Sequence, residues 1–256
     1  MYSATCVVLP TYNERENLEK MVGAIGAAAP GINILVVDDN SPDGTGVLAD
    51  GLAAASPTVS VLHRQGKEGL GAAYRAGFRE ALARPGIEYV VQMDCDFSHD
   101  PSDLPRLLKP LVDDPRVGLV IGSRYVAGGG TPGWSTKRRV ISRGGSLFAR
   151  TVLHLPFRDL TGGFKAWRRD TLAAQDLSSG YANGYGFQIE MTWSAFRRGA
   201  RIVEIPITFR DRVAGNSKMS GAIMREALLM VLRLRLATFP TRRGRRGRPE
   251  ATQPPS

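Results

Sequence analysis

Several common features are scarce in this sequence, and each shortage removes a class of protein. Only two cysteines occur among 256 residues, Cys6 and Cys95. Cys6 falls in an apolar strand-like run and Cys95 in an acidic turn. Neither a disulfide framework nor a zinc site is expected, and a reducing compartment fits. No uncharged apolar stretch of about 18 residues exists, so no transmembrane helix is expected. The first apolar run is short and passes straight into Pro10-Thr11-Tyr12, so no secretory leader is expected either. There are three histidines, His63, His99 and His154, and none stands out as a general base. His99 lies beside an acidic turn, where it could touch metal or phosphate or simply complete the turn. Internal repeats and low-complexity segments are absent before the C-terminal tail.

What is present is enough apolar residue for one large domain or two small ones. The formal net charge is +10, with much of the excess late in the chain. That balance permits nucleic acid, anionic lipid or phosphorylated substrates as partners without choosing among them. Strand-like runs at Thr5 to Leu9, Ile32 to Val37, Val59 to His63 and Tyr89 to Met93 alternate with helical stretches. The helices are expected at Glu16 to Ala28, Val47 to Ala55 and Ala72 to Ala83, the first capped by Asn13 or a neighbour. Such a series predicts a parallel sheet with right-handed crossovers. A helix at Asp103 to Val112 and a strand at Val117 to Ile121 follow. Helices at Val140 to Leu153 and Phe187 to Arg198 and an edge strand at Arg201 to Phe209 complete the series. Thr161 to Trp167 reads as extended, with a glycine pair suited to close backbone approach.

The stretch that organises the chain is Tyr89 to Pro101. An apolar run ends in Asp94-Cys95-Asp96, and on an extended backbone residues i and i+2 point the same way. Two carboxylates past the C-terminal end of a strand lie where open α/β sheets bind ligands. A divalent cation with oxygen ligands is the simplest way to relieve their repulsion, and it keeps positions open for substrate phosphates. The plain alternative is a strand running into an acidic turn. A second acidic loop, Asp38-Asp39-Asn40-Ser41-Pro42-Asp43-Gly44-Thr45, follows the second strand.

The motifs occur together in a recognisable order. They are Pro10-Thr11-Tyr12-Asn13-Glu14, Val36-Val37-Asp38-Asp39 with Ser41-Pro42-Asp43-Gly44-Thr45, Gly69-Leu70-Gly71, Met93-Asp94-Cys95-Asp96, Gly122-Ser123-Arg124-Tyr125, Thr161-Gly162-Gly163-Phe164, and Asp211-Arg212-Val213 with Ser217-Lys218. As a set they resemble the polyprenyl (dolichyl) phosphate mannose synthases, inverting family 2 glycosyltransferases of the GT-A fold. The chain is similar to the short members without transmembrane helices. The resemblance covers about Cys6 to Ser220.

The resemblance implies an α/β GT-A domain over residues 1–220, with a mainly parallel Rossmann-like sheet flanked by helices. It implies transfer of mannose from GDP-mannose to a polyprenyl phosphate lipid. Pro10, Tyr12 and Glu14 would line the guanosine site, and Val37 and Asp39 would contact base and ribose. Asp94, Cys95 and Asp96 would lie against the diphosphate. Asp94 and Asp96 would hold Mg2+ or Mn2+, with Ser98 standing where relatives often place a glutamine that completes the metal shell. Arg124, Arg212 and Lys218 would close over the diphosphate or acceptor phosphate, and Arg138 and Ser142 would engage the acceptor phosphate. In this scheme Asp96 and Arg124 carry catalysis by stabilising charge.

Two other classes start from single features. Gly69-Leu70-Gly71 before a helix invites a nicotinamide-oxidoreductase reading, with Asp94 at about the right distance for a ribose. It is disfavoured because the glycines follow a long polar loop and Tyr74 replaces the third glycine. The Arg-rich tail invites nucleic acid, but no recognised motif or aromatic stacking patch accompanies it, so no nucleic acid is expected. Within the transferase class, glucose in place of mannose stays open. Finally, Gly221 to Phe239 predicts an amphipathic helix with a stripe of Ile223, Met224, Ala227, Met230, Val231 and Leu234. A basic, disordered tail at 240–256 follows. Helix and tail are expected to bind a membrane surface or an integral membrane partner at the cytoplasmic face, the alternative being a helix packed on its own domain.

Overall fold

The structure is a computed structural model, which describes residues 1–178, 185–210 and 221–237. Seven strands form one sheet: β1 (Thr5–Thr11), β2 (Asn33–Asp38), β3 (Val59–His63), β4 (Tyr89–Gln92), β5 (Val117–Ser123), β6 (Lys165–Arg168) and β7 (Arg201–Pro206). Their spatial order is β3-β2-β1-β4-β6-β5-β7. The helices are α1 (Arg15–Ala28), α2 (Thr45–Ala55), α3 (Leu70–Ala83), α4 (Leu104–Asp113), α5 (Thr136–Leu153), α6 (Arg169–Ala173), α7 (Tyr185–Arg197) and α8 (Gly221–Ala237).

The central strands β1 and β2 carry continuous apolar runs because both faces are covered. Cys6, Val8, Leu35 and Val37 face one core, with Tyr74 and Phe78 of α3 and Phe187 of α7. Val7, Leu9, Ile34 and Val36 face the other, with Leu18 and Met21 of α1 and Leu107 and Leu111 of α4. The period of two along each strand therefore divides the same segment between two cores. The close approach of α3 depends on Gly77, where a Cβ would come within 2.4 Å of Val8 Cγ1. Gly69 serves differently, starting α3 with φ +102°. The expected side-chain cap on α1, from Asn13 or a neighbour, is not formed. The N-cap is Glu14, without a side-chain cap bond, and Glu14 Oε2 instead accepts from Asn17 Nδ2 at 2.8 Å.

One strand departs from the expected parallel order. β6 enters between β4 and β5 and is antiparallel to both, with Lys165 opposite Gln92 and Ile121. Hydrophobic periodicity carries no strand direction, so sequence alone could not show this. The reversal has a positional effect. The segment leading into β6 arrives at the C-terminal ends of β4 and β5, the edge that carries the acidic turn.

Part of the predicted stripe on α8 is used for packing, while the side chains of Ile223, Met224 and Ala227 lie outside the described residues. Met230, Val231 and Leu234 are buried in the core shared with α5 and α7. The outward side of α8 instead carries Leu228, Leu229, Leu232 and Leu236, all substantially exposed. No helix among the described residues is long and apolar enough to cross a membrane.

Candidate active site

The C-terminal ends of β1, β2 and β4 lie side by side, with Thr11 paired to Asp38 across β1 and β2. This gathers the predicted nucleotide residues. Asp38 holds the edge together: its carboxylate accepts from Thr11 Oγ1 at 3.1 Å and from Ser41 Oγ at 2.6 Å. Asp39 is buried and ion-paired to Arg64 from the loop after β3. Burial raises the Asp39 pKa, and the hydrogen bond and charge of Arg64 oppose that rise. Tyr12 is half-buried, with Lys67 Nζ 3.9 Å over its ring. Pro10 closes β1 against Val37 of β2. The Val37 side chain lies in the core, so only its backbone reaches this edge. Glu14 is tied to the β2–α2 loop, its backbone N–H donating to Thr45 Oγ1 at 3.0 Å.

Asp94, Cys95 and Asp96 do not continue the strand, which ends at Gln92. They form a tight turn with Phe97 at φ +58°. Asp94 Oδ1 accepts from the Tyr74 hydroxyl at 2.9 Å. Asp96 Oδ1 accepts from the Ser98 N–H at 3.0 Å. Burial, and then the charges of Asp94 and Asp96, raise the Tyr74 pKa well above the ordinary phenol value, so it stays a donor. The Cys95 thiol is likewise raised by burial and then by Glu14, Asp96 and Asp94, which places Glu14 within electrostatic range of this turn. Cys95 is thus a protonated thiol and not a nucleophile at neutral pH.

No group of three His, Cys, Asp or Glu side chains that could hold a metal ion occurs among the described residues. The donors available are two carboxylates and a hydroxyl. Ser98 Oγ is buried and has no hydrogen-bond partner, and an unpartnered hydroxyl on the residue whose N–H binds Asp96 fits an oxygen-preferring cation. Such an ion takes its other ligands from phosphates or water.

On the other side of β6, Arg124 follows β5 and is only 4% exposed. Its Nε and Nη2 each reach an oxygen of Asp159 at 2.7 Å, and Nη2 also donates to Thr161 Oγ1 at 2.8 Å. Burial pushes the Asp159 carboxyl up, but the charge and hydrogen bonds of Arg124 outweigh it and hold it low. The guanidinium is walled by Trp134, Tyr125 and Phe209. Arg138 stacks on the same wall, with its guanidinium carbon 3.9 Å from the Trp134 centroid. Ser142 Oγ accepts from the Tyr125 hydroxyl at 2.6 Å. Arg124, Arg138 and Ser142 are therefore brought together around one aromatic wall. Arg212 and Lys218 lie outside the described residues.

Sequence reasoning missed Asp159, Trp134, Arg64, Tyr74 and Gln188. An aspartate two residues before Thr161-Gly162-Gly163 was a usable signal for the first. The others depend on contacts between distant segments.

Beneath the site runs a buried polar network. Trp167 Nε1 donates to Gln92 Oε1 at 2.7 Å, and Gln92 Nε2 donates to Gln188 Oε1 at 2.9 Å. Lys165 Nζ donates to the Gln188 carbonyl and to Thr192 Oγ1. Burial lowers the Lys165 pKa to about 7, against the pull of Asp159.

Acidic side chains at adjacent strand tips, facing a cluster of arginines across an inserted strand, define an α/β enzyme with its site at the sheet's C-terminal edge. The family model described as Glycosyl transferase family 2 matches residues 6–174. An undecaprenyl-phosphate mannosyltransferase of Micrococcus luteus is 51% identical over 230 residues, 90% of this chain and 93% of that protein. A polyprenol monophosphomannose synthase of Mycolicibacterium smegmatis is 50% identical over 228 residues, 89% of this chain and 85% of that one. The chain belongs to glycosyl transferase family 2. In fold it is similar to a solved glucosyl-3-phosphoglycerate synthase from Mycobacterium tuberculosis in complex with Mn2+, UDP and glucosyl-3-phosphoglycerate. The TM-score is 0.66 at 24% identity, over 91% of this chain and 80% of that one. That likeness shows the GT-A fold.

Proposed function

We propose that the protein transfers mannose from GDP-mannose to the phosphate of a polyprenyl phosphate, with inversion at the anomeric carbon. The carrying observation is that Asp39, Asp94 and Asp96 share one sheet edge with the arginine cluster of Arg124 and Arg138. Relatives of about half identity, named for mannosyl transfer to undecaprenyl phosphate or for polyprenol monophosphomannose synthesis, support the sugar and the acceptor.

In this reading Pro10, Tyr12, Glu14, Asp39 and the backbone at Val37 hold the nucleoside. Asp94, Cys95 and Asp96 lie against the diphosphate. Asp94, Asp96 and Ser98 would hold Mg2+ or Mn2+, which when bound supplies positive charge beside the leaving diphosphate. Arg138, Ser142 and Arg124 orient the acceptor phosphate, and Arg212 and Lys218 add positive charge. One phosphate oxygen forms the new bond to the anomeric carbon as the bond to GDP breaks, and its electron pair leaves on the β-phosphate. The acceptor is already an anion near neutral pH, so no side chain has to remove a proton. This suits a site whose only nearby histidine, His99, is buried and pushed below its ordinary pKa, first by desolvation.

The lipid acceptor requires contact with a bilayer or a membrane partner. The exposed leucines of α8, with Val140 and Leu147 exposed on the neighbouring α5, provide an apolar patch. The chain docks peripherally at the cytoplasmic face through that patch and its basic C-terminal residues.

The test is transfer from labelled GDP-mannose to a short polyprenyl phosphate, run beside UDP-glucose. A mannolipid formed only when divalent cation is supplied is the expected product. Faster transfer from UDP-glucose, or none from GDP-mannose, refutes the reading.

A further inference from the structure

Gly163 sits between Asp159 and β6 and is half-buried. Its φ is not positive, so its conformation is open to any residue. A Cβ on Gly163 would lie 3.4 Å from Asp94 Oδ2, 3.5 Å from His99 Cε1 and 3.6 Å from Gln188 Nε2. Three polar side chains thus converge on a point that the glycine leaves empty.

Gln188 brings a donor with no partner, and His99, which turns Cε1 to this point, carries another one bond away. His99 Nε2 and Gln188 Nε2 are buried and make no hydrogen bond, and their residues are 1% and 2% exposed. The proton positions follow from the neighbours. The Asp94 N–H points at His99 Nδ1, 3.4 Å away, so Nδ1 is the acceptor and the neutral ring carries its proton on Nε2. The indole of Trp167 can only donate, which fixes Oε1 of Gln92 as its acceptor. Gln92 then offers Nε2 to Gln188 Oε1, and the amide nitrogen of Gln188 is turned towards Gly163.

The Asp94 carboxylate oxygen and the unpartnered Gln188 N–H meet at this point, beside the Cε1 edge of His99, and select for a group that both donates and accepts. A phosphate oxygen would meet the Asp94 oxygen directly, an ammonium would face the Gln188 donor, and an apolar group would leave the Gln188 N–H unmatched. A hydroxyl satisfies the set. We propose that this point receives one hydroxyl of the transferred hexose, read by Asp94 and Gln188 against the edge of His99, with Gly163 lacking a side chain to admit it. The proposal rests on the nucleotide-sugar reading above and names where that sugar is recognised.

Gly163→Ala tests it with little disturbance, because the added methyl makes only ordinary van der Waals contacts at 3.4 to 3.6 Å. GDP and GDP-mannose are titrated separately into the full chain by calorimetry, with Mn2+ present. The variant is expected to bind GDP within about twofold of wild type and GDP-mannose at least about tenfold more weakly. Among monodeoxy GDP-mannoses, one should lose about tenfold on wild type and little more on the variant. Unchanged GDP-mannose affinity means that the point holds only a buried water, and overturns the proposal. Equal losses for both ligands overturn it too, since the methyl would then be acting on the nucleotide. Wild-type protein that binds neither ligand instead sinks the donor assignment. If Gly163→Ala does not fold, Gln188→Met in the same titration must show the selective loss, and retained affinity there overturns the proposal.

Discussion

The Tyr74 hydroxyl donates to Oδ1 of Asp94 at 2.9 Å, across a distance of 20 residues in sequence. Tyr74 is fully buried and stacks on Phe187, with ring centroids 5.9 Å apart. The first carboxylate of the acidic turn is thus aimed by a rigid side chain from α3. Tyr74→Phe keeps the ring and removes only the donor. Partners of this kind are worth about 10- to 100-fold in metal affinity. Mn2+ titration in the presence of GDP should show at least the lower figure with the fold unchanged, and an unaltered titration would show that Asp94 needs no such support.

Asp96→Ala removes one of two carboxylates while leaving the nucleoside-binding edge intact. For wild type, GDP with Mn2+ at about 100 times its dissociation constant stabilises by roughly 2.7 kcal/mol. Thermal unfolding of the variant should show most of that increment gone. Equal shifts in the two proteins would rule out a metal role for the turn.

Arg124 and Asp159 are a buried pair, so removing one partner strands the other. Asp159→Asn should destabilise by about 3–5 kcal/mol, and the double variant Arg124→Met with Asp159→Asn by clearly less. Denaturant unfolding measures both. Additive losses would mean that the pair contributes nothing as a unit.

Lys165 gives a pH signature. Its folded pKa, about 7, lies below the ordinary lysine value of 10.5. Between those values the unfolded chain binds more protons than the folded one, so this group makes stability rise with pH. The slope approaches about 1.4 kcal/mol per pH unit in that window. Asp159 and Arg124 are the charges acting on it. Lys165→Met should flatten the rise between pH 7 and 9 relative to wild type, as read from chemical denaturation at each pH. Parallel curves for the two proteins would contradict the burial argument.

The outward leucines of α8 predict a separable defect. Leu232→Glu with Leu236→Glu should weaken sedimentation with anionic vesicles by at least about tenfold, since each buried leucine contributes roughly 1.5–3 kcal/mol. GDP binding should be untouched. Full recovery on vesicles would place membrane contact elsewhere.

Much of this is legible in the sequence because it is local. The strand runs, the acidic turn and the Asp-rich loop after β2 all follow from period and composition, and β1 to β5 fall where the apolar runs are. The direction of β6 is not legible, because alternation looks the same read either way. The apolar stripe on α8 is ambiguous for a related reason. Met230, Val231 and Leu234 do form an apolar face, but a helical wheel does not say whether lipid or protein covers it. Tyr74 shows in sequence only as a missing third glycine, since its contact with Asp94 depends on how α3 crosses the sheet.

The reversed strand also constrains how the enzyme can change. Asp159, which fixes the arginine proposed to face the acceptor, and Gly163, at the proposed hexose contact, sit four positions apart on one connector pinned by β6. A length change in that connector would shift acceptor and donor preferences together. Variants altered for one alone should therefore arise by substitution within a connector of fixed length.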